Sequence, residues 1–188
     1  MTLYFAYGAN MDIEAMKRRA PTAKPLGRAR LPRHRFVIMS EGYASVVRDA
    51  RFAVHGLLWD VSLADIRLLD RFEGVDKGLY VKLNQPVVLE GLGAGAKRAL
   101  VYVGASAGTG RPRPGYLEDV VRAAREAGLP PAYIKEMEGW AGKPMASAAQ
   151  PRAEVGHQEA GPVAGVRPRF SRPGASAARA TDQWTWED

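Results

Sequence analysis

Apolar residues fall along this chain in short runs and at helical spacings, and the two patterns alternate to about residue 140. Residues 3–7, Leu-Tyr-Phe-Ala-Tyr, form an aromatic-rich run that predicts a buried strand. Gly8-Ala9-Asn10 breaks it. Residues 11–19 then show helical spacing with Ile13, Met16 and Ala20 on one side, and Asn10 or Asp12 is placed to cap that helix. Residues 21–32 are rich in Pro, Gly, Arg and Ala, which predicts a loop with a short extended part near 27–31. A strand at 35–39, a turn at 40–43 and a short extended piece at 44–47 follow. Residues 53–61 read as the strongest strand of the chain.

That strand runs straight into a short amphipathic helix at 62–69, with Leu63, Ile66 and Leu69 on one face. Ser62 followed by Asp65 resembles a capping box with Asp in place of Glu. Gly74 and Gly78 stop the chain, and residues 79–83 restart it with strand-like alternation that continues through 85–90. A glycine-rich turn at 91–95 leads into 98–103, the expected hairpin partner. After a loop at 105–114, residues 115–127 predict a helix with Leu117, Val120, Val121 and Ala124 inward and Gly128 as its cap. A last short helix is expected at 132–138. The class is α+β, with one domain over residues 1–144.

Beyond residue 144 the composition shifts to Ala, Gly, Pro and Arg with few bulky apolar residues. Such a segment buries too little surface to offset its ordering entropy, so 145–188 is expected to be a low-complexity, largely disordered tail. Trp184 and Trp186 are unusual for a tail and suggest docking; an extension without function is the preferred reading. The tail is charge-neutral, so the net charge of +7 lies in residues 1–144. Eight basic residues fall between Lys17 and Arg35 with no acid among them. A face like that attracts nucleic acid or an anionic ligand, but a solvated basic face is the expectation here. The chain has no cysteine, which excludes disulfides and thiol nucleophiles. Its three histidines, His34, His55 and His157, show no metal-ligand spacing, and His55 reads as a strand residue. No apolar run reaches membrane-spanning length, so no membrane partner is expected and the cytoplasm is the default compartment.

Two stretches carry candidate chemistry. At the end of the helix at 62–69, Asp70 and Glu73 place two carboxylates where unpaired carbonyls already make the end negative. Two readings stand on this stretch alone: Asp70 and Glu73 are solvated loop acids, or, flanked by Phe72 and Leu79, the Glu holds its proton more tightly, as a general acid–base must. Near the N-terminus, strand, glycine turn and helix start aim several backbone N–H groups at one point, which suits an anion or oxyanion. The turn at 91–95 invites a phosphate-loop reading. It lacks Gly-Lys-Ser/Thr and is followed by a strand, so hairpin chemistry explains it better.

Residues 69–80, Leu-Asp-Arg-Phe-Glu-Gly-Val-Asp-Lys-Gly-Leu-Tyr, resemble the Asp-x-x-Glu-Gly stretch and following Gly-x-Tyr of the γ-glutamylcyclotransferases, the AIG2-like group. Tyr7-Gly8-Ala9-Asn10-Met11 resembles that family's Tyr-Gly-Ser-Asn-Leu/Met signature. The closing segment through Gly128-Leu129-Pro130 and Tyr133 is similar as well, so the resemblance spans about residues 3–140. It implies a mixed β-barrel with flanking helices. It further implies Glu73 as catalytic acid–base, with Tyr7, Gly8, Ala9, Asn10, Met11 and Tyr80 around a small γ-glutamyl substrate. Neither cofactor nor metal is implied. Ala9 stands where the family has Ser, so any role there rests on backbone N–H groups. Members release 5-oxoproline from γ-glutamyl amino acids, amines, glutathione or biosynthetic intermediates, and the sequence does not choose among these. The alternative is a non-catalytic binding module that uses the basic face for an acidic partner; neither reading fixes an oligomeric state.

Overall fold

The computed structural model describes residues 2–91, 95–106 and 108–142. The expectations for a tail from residue 145, including the docking suggested for Trp184 and Trp186, lie outside those residues. Five strands are ordered β1-β3-β2-β4-β5 in a closed barrel, where β1 is Thr2–Ala6, β2 Lys24–Ile38, β3 Ala44–Val61, β4 Tyr80–Leu89 and β5 Ala96–Gly104. Neighbours pair antiparallel except at the closing seam, where β1 and β5 run parallel with Tyr4 opposite Leu100. Four α-helices among the described residues lie between or after the strands: α1 Ile13–Arg19, α2 Leu63–Phe72, α3 Tyr116–Glu126 and α4 Pro131–Glu138. The mixed barrel with flanking helices is as expected. Its core runs from Phe5 and Leu58 through Val87 and Val101 to Val120 and Met137, all fully buried.

Of the loop expected at 21–32, residues 21–23 stay outside the strands and the extended part near 27–31 is found, but the strand begins at Lys24 and runs through the rest. β2 is a continuous 15-residue strand paired with β3 from Lys24 opposite Asp60 to Ile38 opposite Ala44. Pro25 and Pro32 misled the reading because proline cannot donate to a ladder, yet both sit at register shifts, where a missing N–H is tolerated. Arg33, with φ 61°, takes up the second irregularity. The two extended pieces read at 44–47 and 53–61 are likewise one 18-residue strand, β3. Residues 49–52 of β3 stand opposite Arg33 alone, and the charged Asp49 and Arg51 among them interrupt the apolar pattern without ending the strand.

The caps follow the sequence more closely. Asp12 caps α1 by accepting the Ala15 N–H at 2.9 Å. At α2, Ser62 accepts the Asp65 N–H at 3.1 Å while Asp65 accepts the Ser62 N–H at 3.0 Å, a complete capping box. Asp65 is fully buried and also takes hydrogen bonds from the Thr22 N–H and hydroxyl. Burial opposes its charge, but the bonds from Thr22 and Ser62 together hold its carboxyl below the usual range. The predicted apolar face of α2 is only half right. Leu69 is buried and Ile66 packs partly against the core, but Leu63 is 74% exposed. On α1, Met16 and Ala20 are buried while Ile13 is exposed. No helix among the described residues is long and apolar enough to cross a membrane.

Candidate active site

A cavity of about 410 Å³ opens beside the β1–β5 seam, lined by the end of β1, α1, the C-terminus of α2 and the starts of β4 and α3. Its floor is built by local chain geometry. After β1, Gly8 leaves the strand and a single 3-10 turn, Ala9–Met11, closes with Met11 N–H on the Gly8 carbonyl at 3.0 Å. A turn of this kind leaves its first N–H groups without intrahelical acceptors. A Cβ on Gly8 would meet the Tyr116 hydroxyl at 3.3 Å, so the backbone passes close to the far wall.

The opposite side is set by the end of α2. Glu73 is its C-cap residue, and Gly74 turns the chain left-handed at φ 63°. The loop then folds back on itself, with Leu79 N–H donating to the Gly74 carbonyl at 3.0 Å. Glu73 and Tyr80 thus stand at the two ends of one tight loop, and both line the cavity.

Glu73 meets Asn10 across the cavity. Asn10, 3% exposed, donates from Nδ2 to Glu73 Oε1 at 2.7 Å and to the Tyr4 hydroxyl at 2.8 Å. Its Oδ1 accepts from Arg19 Nη1 at 2.6 Å, and the same nitrogen reaches the Ala9 carbonyl at 3.2 Å. The Arg19 guanidinium lies 3.8 Å from the centroid of the Phe72 ring, a cation–π stack. Burial raises the Glu73 carboxyl to about 7, against the pull of Arg19 and the Asn10 hydrogen bond, which both favour its charge.

The remaining walls are tyrosines. Tyr7 donates to the Tyr102 carbonyl at 2.6 Å, Tyr80 to the Ala44 carbonyl at 2.7 Å and Tyr102 to Asp70 Oδ1 at 2.7 Å. The Tyr116 hydroxyl accepts the Ala44 N–H at 3.1 Å. Burial pushes all these phenols up, helped by the nearby Glu73 charge; Tyr116 reaches about 12. They are neutral hydrogen-bonding groups at any physiological pH. Asp70, one turn before Glu73, faces elsewhere: besides Tyr102 it holds Lys82 Nζ at 2.8 Å.

Of the residues singled out in the sequence, Tyr7, Gly8, Ala9, Asn10, Glu73 and Tyr80 line this one cavity. Met11 does not. It is 1% exposed and packs in the core, because the 3-10 turn swings its side chain away from the opening. His55 is a β3 residue near Glu90 and outside the cavity, 3.3 Å between Nδ1 and Oε1. Among the wall residues missed are Tyr4, Arg19, Tyr102 and Tyr116. The available signal was chemical, since a tyrosine in an apolar strand needs a partner for its hydroxyl. Arg19 was hidden inside the basic run. Among the described residues no three of His, Asp and Glu cluster as a metal site.

Residues 53–137, from the second half of β3 to α4, match the AIG2-like family. The fold is that of a solved γ-glutamyl cyclotransferase, with a TM-score of 0.69 over 79% of this chain and 92% of that one at 24% identity. A crystal structure of an uncharacterized human protein superposes with a TM-score of 0.68 at 25% identity over the same shares. In sequence, the mouse γ-glutamylcyclotransferase is 31% identical over 147 residues, 72% of this chain and 77% of the mouse protein. The human γ-glutamylcyclotransferase is 29% identical with the same coverage. With barrel, element order and sequence agreeing along the described domain, the chain belongs to the γ-glutamylcyclotransferase family.

Proposed function

We propose that this protein releases 5-oxoproline and an amine or amino acid from a γ-glutamyl compound. The observation that supports it most is the Glu73 carboxyl, raised to about 7 and held by Asn10 on a cavity wall rich in neutral tyrosine hydroxyls. The reaction needs no protein nucleophile. The substrate's α-amine attacks its own γ-carbonyl carbon, a five-membered ring closes, and the bond from that carbon to the leaving nitrogen breaks. The attacking nitrogen enters as an ammonium and ends as a lactam N–H, so it sheds two protons: one must reach the leaving nitrogen for its bond to break, and the other passes to water or to the released amine. Glu73 takes the first as base and returns it as acid, and a group titrating near neutrality is matched to both steps. N–H groups of the turn from Gly8 to Asn10 stabilise charge on the carbonyl oxygen or hold the α-carboxylate, and Ala9 suffices because no side chain is involved. The Tyr80 hydroxyl, committed as donor to Ala44, keeps its lone pairs for the substrate ammonium. The shaped wall restricts the glutamyl chain to a ring-closing pose, which contributes several kcal/mol, of order 7–11 at the upper limit. The direct test is release of 5-oxoproline by purified protein from γ-glutamyl amino acids, amines and glutathione. No release from any of them overturns the reading.

Asp70 is the comparison residue. Asp70→Asn keeps an acceptor for Tyr102 and loses a half-exposed ion pair with Lys82, worth about 0–1 kcal/mol. Turnover is expected within about tenfold of wild type, read by steady-state kinetics, because Asp70 shapes the wall and does not move the proton. The basic strand β2 separates this reading from a binding module. Lys24 and Arg30 are exposed and lie outside the cavity, so Lys24→Glu with Arg30→Glu should leave turnover unchanged. Salt-sensitive binding of wild type to DNA or RNA, lost in that variant, would favour the binding module.

A further inference from the structure

We infer that Arg19 is a positioning residue for proton transfer: through the Asn10 amide it fixes Glu73 Oε1 as an acceptor, so that the proton is exchanged at Oε2. The inference rests on the reading of Glu73 as the proton carrier. An asparagine amide has one oxygen and one NH₂ of nearly the same shape, and its neighbours decide which way it faces. Here they leave no choice. A guanidinium can only donate, so the amide atom 2.6 Å from Arg19 Nη1 must be Oδ1. Nδ2 then faces the other way, with one hydrogen on Tyr4 and one on Glu73 Oε1. An oxygen that accepts from an amide N–H is held in the acceptor role whether or not the carboxyl is charged. Oε2 has no protein partner among the described residues and is left for a ligand in the cavity.

Four other charged side chains line the cavity besides Arg19 and Glu73: Asp12 pairs with Arg122 at 3.1 Å, Asp119 lies 3.4 Å from the same guanidinium, and Arg18 is exposed. Glu73 is faced by Tyr4 and Tyr7 from the β1 side, Tyr80 from β4, Tyr102 from β5 and Tyr116 from α3, all neutral. Asp70 and Lys82 pair with each other. Arg19 of α1 is the charged group tied to the Glu73 carboxyl through Asn10, and its charge favours the ionised form. Its guanidinium is half-buried and held on three sides, by Asn10, the Ala9 carbonyl and the Phe72 ring, so its field does not wander.

The test is a carbon-13 NMR titration of the Glu73 carboxyl in the ligand-free full chain, with steady-state kinetics alongside. Wild type should show a midpoint of about 7. Arg19→Met and Arg19→Gln remove the charge, and both should move the midpoint upward by about one pH unit or more. The acid limb of kcat/KM should move with it. Arg19→Lys restores charge but not the fork, so the midpoint should return most of the way towards that of wild type. Its kcat should stay about tenfold to a hundredfold low, because an ammonium cannot hold Asn10 and Ala9 while stacking on Phe72. KM should change little in all three. Folded Met and Gln variants with an unmoved midpoint overturn the inference. So does a raised KM at unchanged kcat, which would make Arg19 a ligand for the substrate. If wild type releases no 5-oxoproline, the proposed function fails, while the ligand-free midpoints still decide the role of Arg19.

Discussion

Glu73→Gln is expected to lower turnover by roughly 100- to 10,000-fold, the scale of losing a general acid–base. The substituted amide still accepts from Asn10 Nδ2, so the wall keeps its shape and substrate binding survives. In wild type, kcat/KM should fall on the acid side with a midpoint of about 7, because protonated Glu73 cannot take up the ammonium proton. The same group makes a prediction for stability. An ordinary glutamate has a value of 4.5, and burial raises it to about 7 in the fold. Between those values the folded protein binds more protons than the unfolded chain, so stability is lost as pH rises through the window. Above about 7 the cost is fully present, on the order of 1–3 kcal/mol, with solvent in the cavity favouring the lower figure. Glutamine does not titrate and escapes it. Thermal melts should therefore place the variant above wild type at pH 8 and close the gap by pH 4.5. Turnover within about threefold of wild type, together with a dead Asp70→Asn, would move the catalytic carboxylate to Asp70.

Gly56→Ala should be the most damaging substitution away from the cavity. A Cβ there would lie 2.1 Å from the Ala6 carbonyl oxygen and 3.0 Å from its carbon. Both are backbone atoms of β1, whose ladder with β3 pairs Ala6 with the adjoining Leu57. Relief requires parting the two strands. Overpacking of this kind costs about 3 kcal/mol or more, a fall in Tm of roughly 6–12 °C. Activity should fall with it, since Ala6 leads directly into Tyr7 and the Gly8 turn. Gly95→Ala, where nothing lies within 4 Å, is the control and should be close to neutral. A Gly56→Ala protein melting within about 2 °C of wild type would contradict the close approach of β1 and β3.

Apolar runs revealed most strands and inward spacing most helices, because those patterns report burial directly. β2 escaped because its prolines sit at bulges, a pairing property invisible along one strand. Leu63 misled for a related reason: spacing identifies a face of α2 but not how far the core reaches along it. Of the site, the legible part was chemically odd within a few residues, an acid at a helix end and a glycine turn after a strand. Glu73 and Asn10 are 63 residues apart, and no spacing announces that one will hold the other. The tyrosine wall is assembled the same way, from strands, a turn and the start of α3, whose tyrosines look like ordinary core until their hydroxyls need partners.

The seam between β1 and β5 has a kinetic consequence. Tyr7 reaches the Tyr102 carbonyl across 95 residues of chain, and Tyr4 pairs with Leu100 in parallel register. Contacts of such separation are slow to form because loop closure precedes any gain from them. The cavity lies beside this seam, so a chain that has folded its hairpin but left the barrel open still exposes Glu73 to water. A carboxyl exposed in this way loses the burial that raises it in the closed barrel, so it should titrate closer to the ordinary 4.5. A refolding experiment that follows this one carboxyl should therefore report the closing of the barrel, as a shift from the ordinary value towards 7.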